Sequence, residues 1–395
     1  MSMSNPNNVT VSVVHEPQFI DNDGITIPMF QVMNAHGEVI EGAEIPDIDK
    51  QTALKIYETM QFVRVLDERM VAAQRQGRVS FYMQCLGEEA AVTASAAALS
   101  DDDMIMSQYR EQAALHYRGF SLDQFMNQMF SNEKDFGKGR QMPVHYGSKE
   151  LNFMTVSSPL ATQIPQASGY AYGQKLAGKD ECTICYFGEG AASEGDFHAG
   201  LNMAAVHKSP VIFFCRNNGY AISTPANEQF VGDGIASRGP GYGMKTIRVD
   251  GSDALAVYQA TQLARKLAVE QHEPVLIEAC AYRLGGHSTS DDPSGYRTKD
   301  EEQEYGQEDP LKKYKAWLIS KGWLDDKDEE EKLELLKKEI LAAVKVAEVV
   351  PKPPIEDIIS DVYETPTPAL EEQLEQLKEH VKKYPDAYPF TAGRI

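Results

Sequence analysis

The sequence predicts an α/β protein built on a parallel β-sheet with helices on both faces. Strand-like and helical segments alternate through the middle of the chain, which is the pattern of repeated strand–helix–strand units. The strand-like segments are continuous apolar runs rather than alternating ones, as expected of strands that helices cover on both sides. Ligand sites in such sheets lie beyond the carboxyl ends of the strands.

The alternation can be followed from segment to segment. The predicted strands are TICYFG (183–188), PVIFFCRN (210–217), TIRVDG (246–251) and PVLIEACAYR (274–283). The predicted helices between them are SEGDFHAGLNMAAVHK (193–208) and DALAVYQATQLARKLAVEQ (253–271). Upstream, apolar residues at helical spacing over 52–75 and the Ala-rich stretch GEEAAVTASAAALS predict two more helices.

Both ends of the chain differ in composition from this middle part. Residues 1–50 lack helical periodicity and are predicted to form an extended N-terminal arm over some other surface. Residues 51–310 form the predicted α/β domain. Residues 311–395 contain helices rich in Lys and Glu and then several prolines, and are predicted to form a helical C-terminal extension and arm.

Composition excludes several classes of function. The net charge is −21 and no local Lys/Arg block reverses it, which disfavours a nucleic-acid partner. No apolar run approaches the roughly 18 to 20 residues that a membrane span requires. The five cysteines are odd in number and mostly embedded in apolar runs, which favours buried free thiols. Cys182 and Cys185 are three residues apart in a strand-like stretch, so they are expected to face opposite sides.

Two polar groups follow neighbouring predicted strands. Glu189 stands between two glycines after the strand 183–188, and Asn218 follows the strand 210–217. Carboxylate and amide oxygens suit Mg²⁺, and protein magnesium sites take their remaining oxygens from phosphates. A plain strand-to-helix turn explains the same pattern, since Asn-Asn-Gly is a common turn signal. A P-loop is disfavoured because no G-K-[ST] follows, and a dinucleotide fingerprint is disfavoured by Ser193 in its last position.

Longer strings around these residues resemble the alpha subunits of branched-chain 2-oxo acid dehydrogenases. The resemblance covers roughly residues 50–395, and pyruvate dehydrogenase alpha subunits are less similar. Its family usually has GDG upstream of Asn-Asn as a thiamine diphosphate motif, and here Glu189 replaces the Asp. The strings are GKGRQMPVHYGSKELNF, SSPLATQIPQASG, YFGEGAASEGD, FFCRNNGYAISTP, GDGIASRGPGYG and YRLGGHSTSDDPSGYR.

This resemblance implies a set of cofactor and metal ligands. Glu189, the Asn218 side chain and the Tyr220 carbonyl would bind Mg²⁺, and His287 would also have a catalytic role. Ser158 and Leu160 would contact the aminopyrimidine, with Leu160 supporting the bent cofactor. A potassium site would use Ser157, Pro159, Thr162 and Gln163. Arg110, Arg216 and His287 would approach the diphosphate, with Tyr109, Gly190 and Ala191 beside it. The full implied cofactor-binding set is Tyr109, Arg110, Ser158, Leu160, Gly188, Glu189, Gly190, Ala191, Arg216, Asn218, Tyr220 and His287.

The implied activity is the thiamine diphosphate-dependent oxidative decarboxylation of branched-chain 2-oxo acids, with transfer of the acyl group to a lipoyl arm on an acyltransferase core. In this family, the glutamate that activates the cofactor belongs to a second α/β domain. This chain has only one α/β domain. The resemblance therefore implies a separate beta subunit and an α2β2 assembly. Two alternatives stay open, namely a pyruvate or 2-oxobutanoate dehydrogenase alpha subunit, and a cofactor-free regulatory or scaffold subunit.

Regulation and location are also implied. HSTSDD resembles a loop that mitochondrial kinases phosphorylate, with Ser288 beside His287 and with Thr298 where the family's second position is usually Ser. A phosphate on Ser288 would place negative charge beside an anionic cofactor and obstruct it. The first residues show no targeting pattern, which favours a bacterial cytoplasm over a trimmed mitochondrial form.

Overall fold

The computed structural model describes residues 2–4, 10–19 and 25–389, and within these ranges the predicted fold class is confirmed. Seven parallel strands form one sheet in the order β3-β10-β11-β7-β6-β4-β5, with helices on both faces. The strands are β1 Ser2–Ser4, β2 Thr10–Ser12, β3 Met29–Phe30, β4 Met104–Met106, β5 Phe153–Met154, β6 Thr183–Gly188, β7 Val211–Asn217, β8 Tyr220–Ala221, β9 Thr224–Pro225, β10 Lys245–Asp250 and β11 Val275–Cys280. The helices are α1 Lys50–Arg75, α2 Glu89–Ala97, α3 Gln112–Tyr117, α4 Leu122–Met129, α5 Gln163–Leu176, α6 Gly195–His207, α7 Ala226–Gln229, α8 Ala254–Gln271, α9 Lys299–Gly306, α10 Pro310–Ser320, α11 Asp326–Val349, α12 Asp357–Ser360 and α13 Pro368–Lys383.

Alternate residues of the central strands enter two separate cores. In β6, Ile184 and Tyr186 belong to the core shared with α1, α2 and α8. Cys185 and Phe187 belong to the core shared with α5 and α6. Because both faces are covered by apolar residues, the strand reads as one continuous apolar run.

The four long strands of the sheet agree with the prediction, whereas its three short strands carry no prediction. Strand 183–188 agrees with β6, and the other three predicted strands agree with β7, β10 and β11 within a few residues. Strands β3, β4 and β5 have only two or three residues each, too few for an apolar pattern to show.

The described part of the N-terminal arm contacts the sheet of its own chain. Met29–Phe30 pairs with β10, and Val32 and Met33 are fully buried. At the other end, α11 packs against α1 and α4 and buries Ile340 and Val344 in the same core. Residues 1, 5–9, 20–24 and 390–395 of the two predicted arms lie outside the described residues. The predicted boundaries at 50 and 310 stay a prediction.

The structure also bears on the two cysteines and on membrane spans. Cys182 and Cys185 lie in different cores on opposite faces of the sheet, as predicted from their spacing, and both are free thiols. Among the helices in the described ranges, none has the length and apolarity needed to cross a bilayer.

Asp253 holds the N-terminal segment onto the sheet domain. Its Oδ1 accepts hydrogen bonds from the backbone N–H groups of Leu255 and Ala256 at 3.1 Å, which caps α8. Its Oδ2 accepts from the N–H groups of Val32 and Met33 at 2.7 and 2.6 Å. All four bonds are buried, so their loss leaves donors that water cannot reach.

We expect Asp253→Ala to lower the free energy of unfolding by about 3 kcal/mol or more, since a cap and two buried anchors are lost together. The matched control is Asp49→Ala, because Asp49 caps α1 through Thr52 but is exposed. That change should cost about 1 kcal/mol. Urea unfolding of the two variants measures the difference. Equal losses would contradict the anchoring role of Asp253.

Candidate active site

The carboxyl ends of β6 and β7 lie side by side and form one wall of a cavity. Gly188 at the end of β6 is in register with Arg216 near the end of β7, so Glu189 and Asn218 follow the two strands at the same edge. The cavity has a volume of about 250 Å³. It is lined by Gln108, Tyr109, Arg110, Leu160, Gly188, Glu189, Gly190, Ala191, Arg216, Asn218, Tyr220, Ala221, Ile222, Arg283 and His287. Every cofactor-binding residue predicted from the sequence is among them except Ser158.

Glu189 is a buried carboxylate with one unused oxygen. Its Oε2 accepts from the backbone N–H of Asn218 at 3.3 Å. Its Oε1 is buried and has no hydrogen-bond partner among the described residues. Burial is the main reason why the pKa of Glu189 is raised to about 7. A buried carboxylate oxygen without a partner is costly, and a bound cation would remove that cost.

The other two predicted metal ligands are close in the chain. Asn218 donates from its side-chain nitrogen to Glu88 at 2.9 Å, and its Oδ1 accepts from the N–H of Tyr220 at 3.2 Å. The Tyr220 carbonyl accepts from Arg283 at 3.3 Å. Within the described ranges no group of three or more His, Cys, Asp or Glu side chains could hold a metal. A metal here would therefore use amide and carbonyl oxygens besides Glu189, which suits a hard cation such as Mg²⁺.

Two arginines with almost no exposed surface line the same cavity. Arg216 forms ion pairs with Glu88 at 2.5 Å and with Glu111 at 2.6 Å. Burial disfavours its charge, but Glu111 and Glu88 outweigh burial and raise the pKa of Arg216 above its ordinary value. Arg110 donates to the carbonyls of Gln84 and His287, both at 2.6 Å. Such fixed guanidinium groups suit phosphate oxygens.

His287 faces the cavity as a neutral imidazole. Its Nδ1 lies 3.1 Å from Arg110 Nη2. A guanidinium only donates, so Nδ1 accepts and the ring proton lies on Nε2. Burial first, and then the charges of Arg110 and Arg283, lower the pKa of His287 to about 4. The ring therefore offers an Nε2–H donor at neutral pH.

The glycines that flank Glu189 are not equivalent. A Cβ at Gly190 would lie 2.7 Å from the Cβ of Ala221, closer than carbon atoms can approach. A Cβ at Gly188 would meet only ordinary contacts, the nearest at 3.9 Å. The close approach of Ala221 to the start of the short 3₁₀ segment Ala191–Ser193 therefore requires glycine at position 190.

The segment 157–163 is only partly at the cavity. Leu160 lines it and is 40% exposed. The Ser158 hydroxyl does not line the cavity and lies 2.8 Å from His145 Nε2. Of the predicted potassium ligands, Thr162 Oγ1 lies 3.0 Å from the Pro159 carbonyl and 3.4 Å from Ser157 Oγ, whereas Gln163 donates to the Tyr186 carbonyl. The roles of these residues stay predictions.

Several residues of the site were not predicted from the sequence. Gln108, Ala221, Ile222 and Arg283 line the cavity, and the carboxylates of Glu88 and Glu111 hold Arg216. A signal existed for Glu88, since GEEA places two acids at the start of an otherwise apolar helix. For Arg283 the signal was its place at the end of a predicted strand.

Comparison with known proteins gives consistent matches over most of the chain. The model of the family "Dehydrogenase E1 component" matches residues 57–356. The 2-oxoisovalerate dehydrogenase subunit alpha of Dictyostelium discoideum is 52% identical over 367 residues, 92% of this chain and 83% of the relative. The human subunit alpha is 50% identical over 374 residues, 94% and 84% of the two chains. Subunit alpha 2 of Arabidopsis thaliana is 47% identical over 381 residues, 96% and 81% of the two chains. The chain belongs to the dehydrogenase E1 component family.

Proposed function

We propose that this chain is the alpha subunit of a branched-chain 2-oxo acid dehydrogenase. With a beta subunit it would catalyse the thiamine diphosphate-dependent oxidative decarboxylation of branched-chain 2-oxo acids and the reductive acylation of a lipoyl group on an acyltransferase core. The relatives named 2-oxoisovalerate dehydrogenase support the substrate class. The observation that carries the proposal is the buried Glu189 oxygen without a partner, at the edge where Asn218 and two buried arginines meet.

The chain's own residues would bind and orient the cofactor. Glu189, Asn218 Oδ1 and the Tyr220 carbonyl would hold Mg²⁺. Arg110, Arg216 and the Nε2–H group of His287 would face the diphosphate oxygens. Thiamine diphosphate supplies, when bound, the electron sink for loss of CO₂. The predicted catalytic role of His287 is supported by its Nε2–H group, which can donate a hydrogen bond at the cavity wall.

A scaffold function without a cofactor is disfavoured. The pKa of about 7 at Glu189 reflects the cost of burying its charge. A protein that binds no cation gains nothing from this cost. The same argument leaves the 2-oxo acid open, because a cation site at Glu189 does not distinguish branched-chain from shorter 2-oxo acids.

Partner and compartment belong to the same proposal. Leu160 and Ile222, both beside the cavity, are 40% and 53% exposed, which supports a second chain over this side of the site. We propose that the beta subunit occupies that place.

The compartment is a separate part of the proposal. The named relatives are mitochondrial proteins, so we propose a mature mitochondrial form as an alternative to a bacterial cytoplasmic protein. In a mitochondrial form, Ser288 is the position where a kinase would act, while the Thr298 side chain caps α9.

Substrate preference tests the proposal directly. The coexpressed alpha and beta subunits are expected to show a kcat/KM for 3-methyl-2-oxobutanoate at least about tenfold above that for pyruvate, since each extra methyl group in an apolar pocket is worth roughly tenfold or more. Reduction of a lipoylated acceptor domain measures both rates under the same conditions. A preference for pyruvate or 2-oxobutanoate would instead assign the chain to that alternative.

A further inference from the structure

Glu88 is a fully buried carboxylate whose two oxygens bind two different residues of the site. Its Oε1 accepts from the side-chain nitrogen of Asn218 at 2.9 Å. Its Oε2 accepts from Nη1 of Arg216 at 2.5 Å. Glu88 is 0% exposed and is not among the residues that line the cavity. Its Oε1 also lies 3.9 Å from Nε of Arg110. Any effect on a ligand must therefore act through Asn218, Arg216 and Arg110.

The bond to Asn218 determines which end of the amide faces which way. An ionised carboxylate only accepts hydrogen bonds, so the amide nitrogen of Asn218 must face Glu88. A flipped amide would place two oxygens 2.9 Å apart and lose the bond. The amide oxygen is thereby turned away from Glu88, where it accepts from the N–H of Tyr220 at 3.2 Å and keeps a lone pair for a cation.

We propose that Glu88 is the positioning residue of the magnesium site. It fixes the Asn218 amide with its oxygen available to the metal, and it holds Arg216 beside the diphosphate position. This inference rests on the proposed function, in which Asn218 is a Mg²⁺ ligand. Glu111 provides the contrast, since it also pairs with Arg216, at 2.6 Å, but binds Ser107 and the backbone of Gln108 and Tyr109 instead of Asn218.

Exchanging donor and acceptor tests this role. Asn218→Asp places a second carboxylate against Glu88. Although a carboxylate is the stronger Mg²⁺ ligand, repulsion from Glu88 should displace it from the metal position and raise the half-saturating Mg²⁺ concentration by at least about tenfold. Adding Glu88→Gln restores a donor and acceptor pair with the direction reversed. The double variant should return to within about threefold of the wild type, because the new amide at position 88 donates to the new carboxylate at position 218, the repulsion is removed and the pair regains its original net charge.

The measurement is isothermal titration calorimetry of the coexpressed alpha and beta subunits with Mg²⁺ at saturating thiamine diphosphate. Glu111→Gln combined with Asn218→Asp is the matched control and should give no rescue. A double variant with Glu88→Gln that binds no more tightly than Asn218→Asp alone would overturn the inference. If the wild type shows no Mg²⁺-dependent heat, the proposed function fails instead, so the two failures are distinguishable.

Two single variants, Glu88→Gln and Glu111→Gln, test the same role if the double variant does not assemble with the beta subunit. Glu88→Gln alone conserves shape, and we expect it to raise the half-saturating Mg²⁺ concentration by about tenfold, the size of one charge-assisted hydrogen bond. Glu111→Gln should raise the half-saturating Mg²⁺ concentration less than about threefold. This variant also removes a negative charge beside Arg216, but it leaves the hydrogen bond between Glu88 and Asn218 intact. Equal effects of the two variants would show a general charge effect and overturn the positioning role.

Discussion

Replacing Glu189 by Gln is expected to abolish Mg²⁺-dependent binding of thiamine diphosphate and, with it, decarboxylation. Glu189 is the only carboxylate among the proposed metal ligands, and its free Oε1 faces no protein donor in the described residues. An amide of the same shape binds Mg²⁺ far more weakly than a carboxylate. Calorimetry on the coexpressed subunits should show at least about a hundredfold rise in the half-saturating Mg²⁺ concentration, or about 2.7 kcal/mol.

The same variant should be more stable than the wild type when no metal is present. A carboxyl group with a pKa of about 7 in the folded state and an ordinary pKa of 4.5 when unfolded holds its proton more tightly in the folded state. Between these two pH values the unfolded state loses the proton first, so wild-type stability falls as pH rises. The loss reaches at most about 3 kcal/mol above pH 7 and is absent below pH 4.

The direction of this stability change distinguishes a metal ligand, whose replacement stabilises the metal-free protein, from a structural residue, whose replacement destabilises it. In EDTA, Glu189→Gln should melt at a higher temperature than the wild type at pH 8 and at about the same temperature at pH 4. The control is Glu194→Gln, because Glu194 is an exposed acid in the following turn. It should change neither Mg²⁺ binding nor the melting temperature. A Glu189→Gln protein that melts lower at pH 8 would mean that the carboxylate is structural.

The fold could be predicted from the sequence where the signal is local. The run 183–188 is long, apolar and bounded by turns, and it forms β6 at those residues. Met104–Met106 forms a strand only because it pairs between β5 and β6, which a three-residue pattern cannot reveal. Likewise, Met29–Phe30 joins the sheet through β10, more than two hundred residues away in the chain.

The candidate site could be predicted only in part, for the same reason. Glu189 and Asn218 follow neighbouring strands, so the topology of the sheet brings them together. Glu88 reaches them from the start of α2 on another layer. The acids of GEEA mark the position, but the local sequence does not show that Glu88 contacts Asn218. The direction of the Ser158 hydroxyl depends in turn on His145, thirteen positions earlier, which the sequence analysis did not connect with it.

The purified chain alone is expected to decarboxylate 2-oxo acids at less than about a thousandth of the rate of the alpha–beta pair. The described residues at the cavity include the proposed metal and diphosphate ligands, but the carboxylates of Glu88 and Glu111 already form ion pairs with Arg216. The glutamate that activates the cofactor would come from the beta subunit. A positioned acid–base group alone contributes about a hundredfold to ten thousandfold, and poor retention of the cofactor in a half-open site adds to the loss.

The comparison needs one preparation measured in two states. CO₂ release is recorded for the chain alone and again after addition of separately purified beta subunit, which should restore the rate. An alpha subunit with Glu189→Gln, reconstituted in the same way, controls for contaminating enzyme, because it should assemble with the beta subunit but remain inactive. If the lone wild-type chain releases CO₂ at a rate near that of the pair while the variant does not, the catalytic groups are all on this chain. The proposed division of the active site between two subunits would then be wrong, since a single chain would hold both the diphosphate ligands and the group that activates the cofactor.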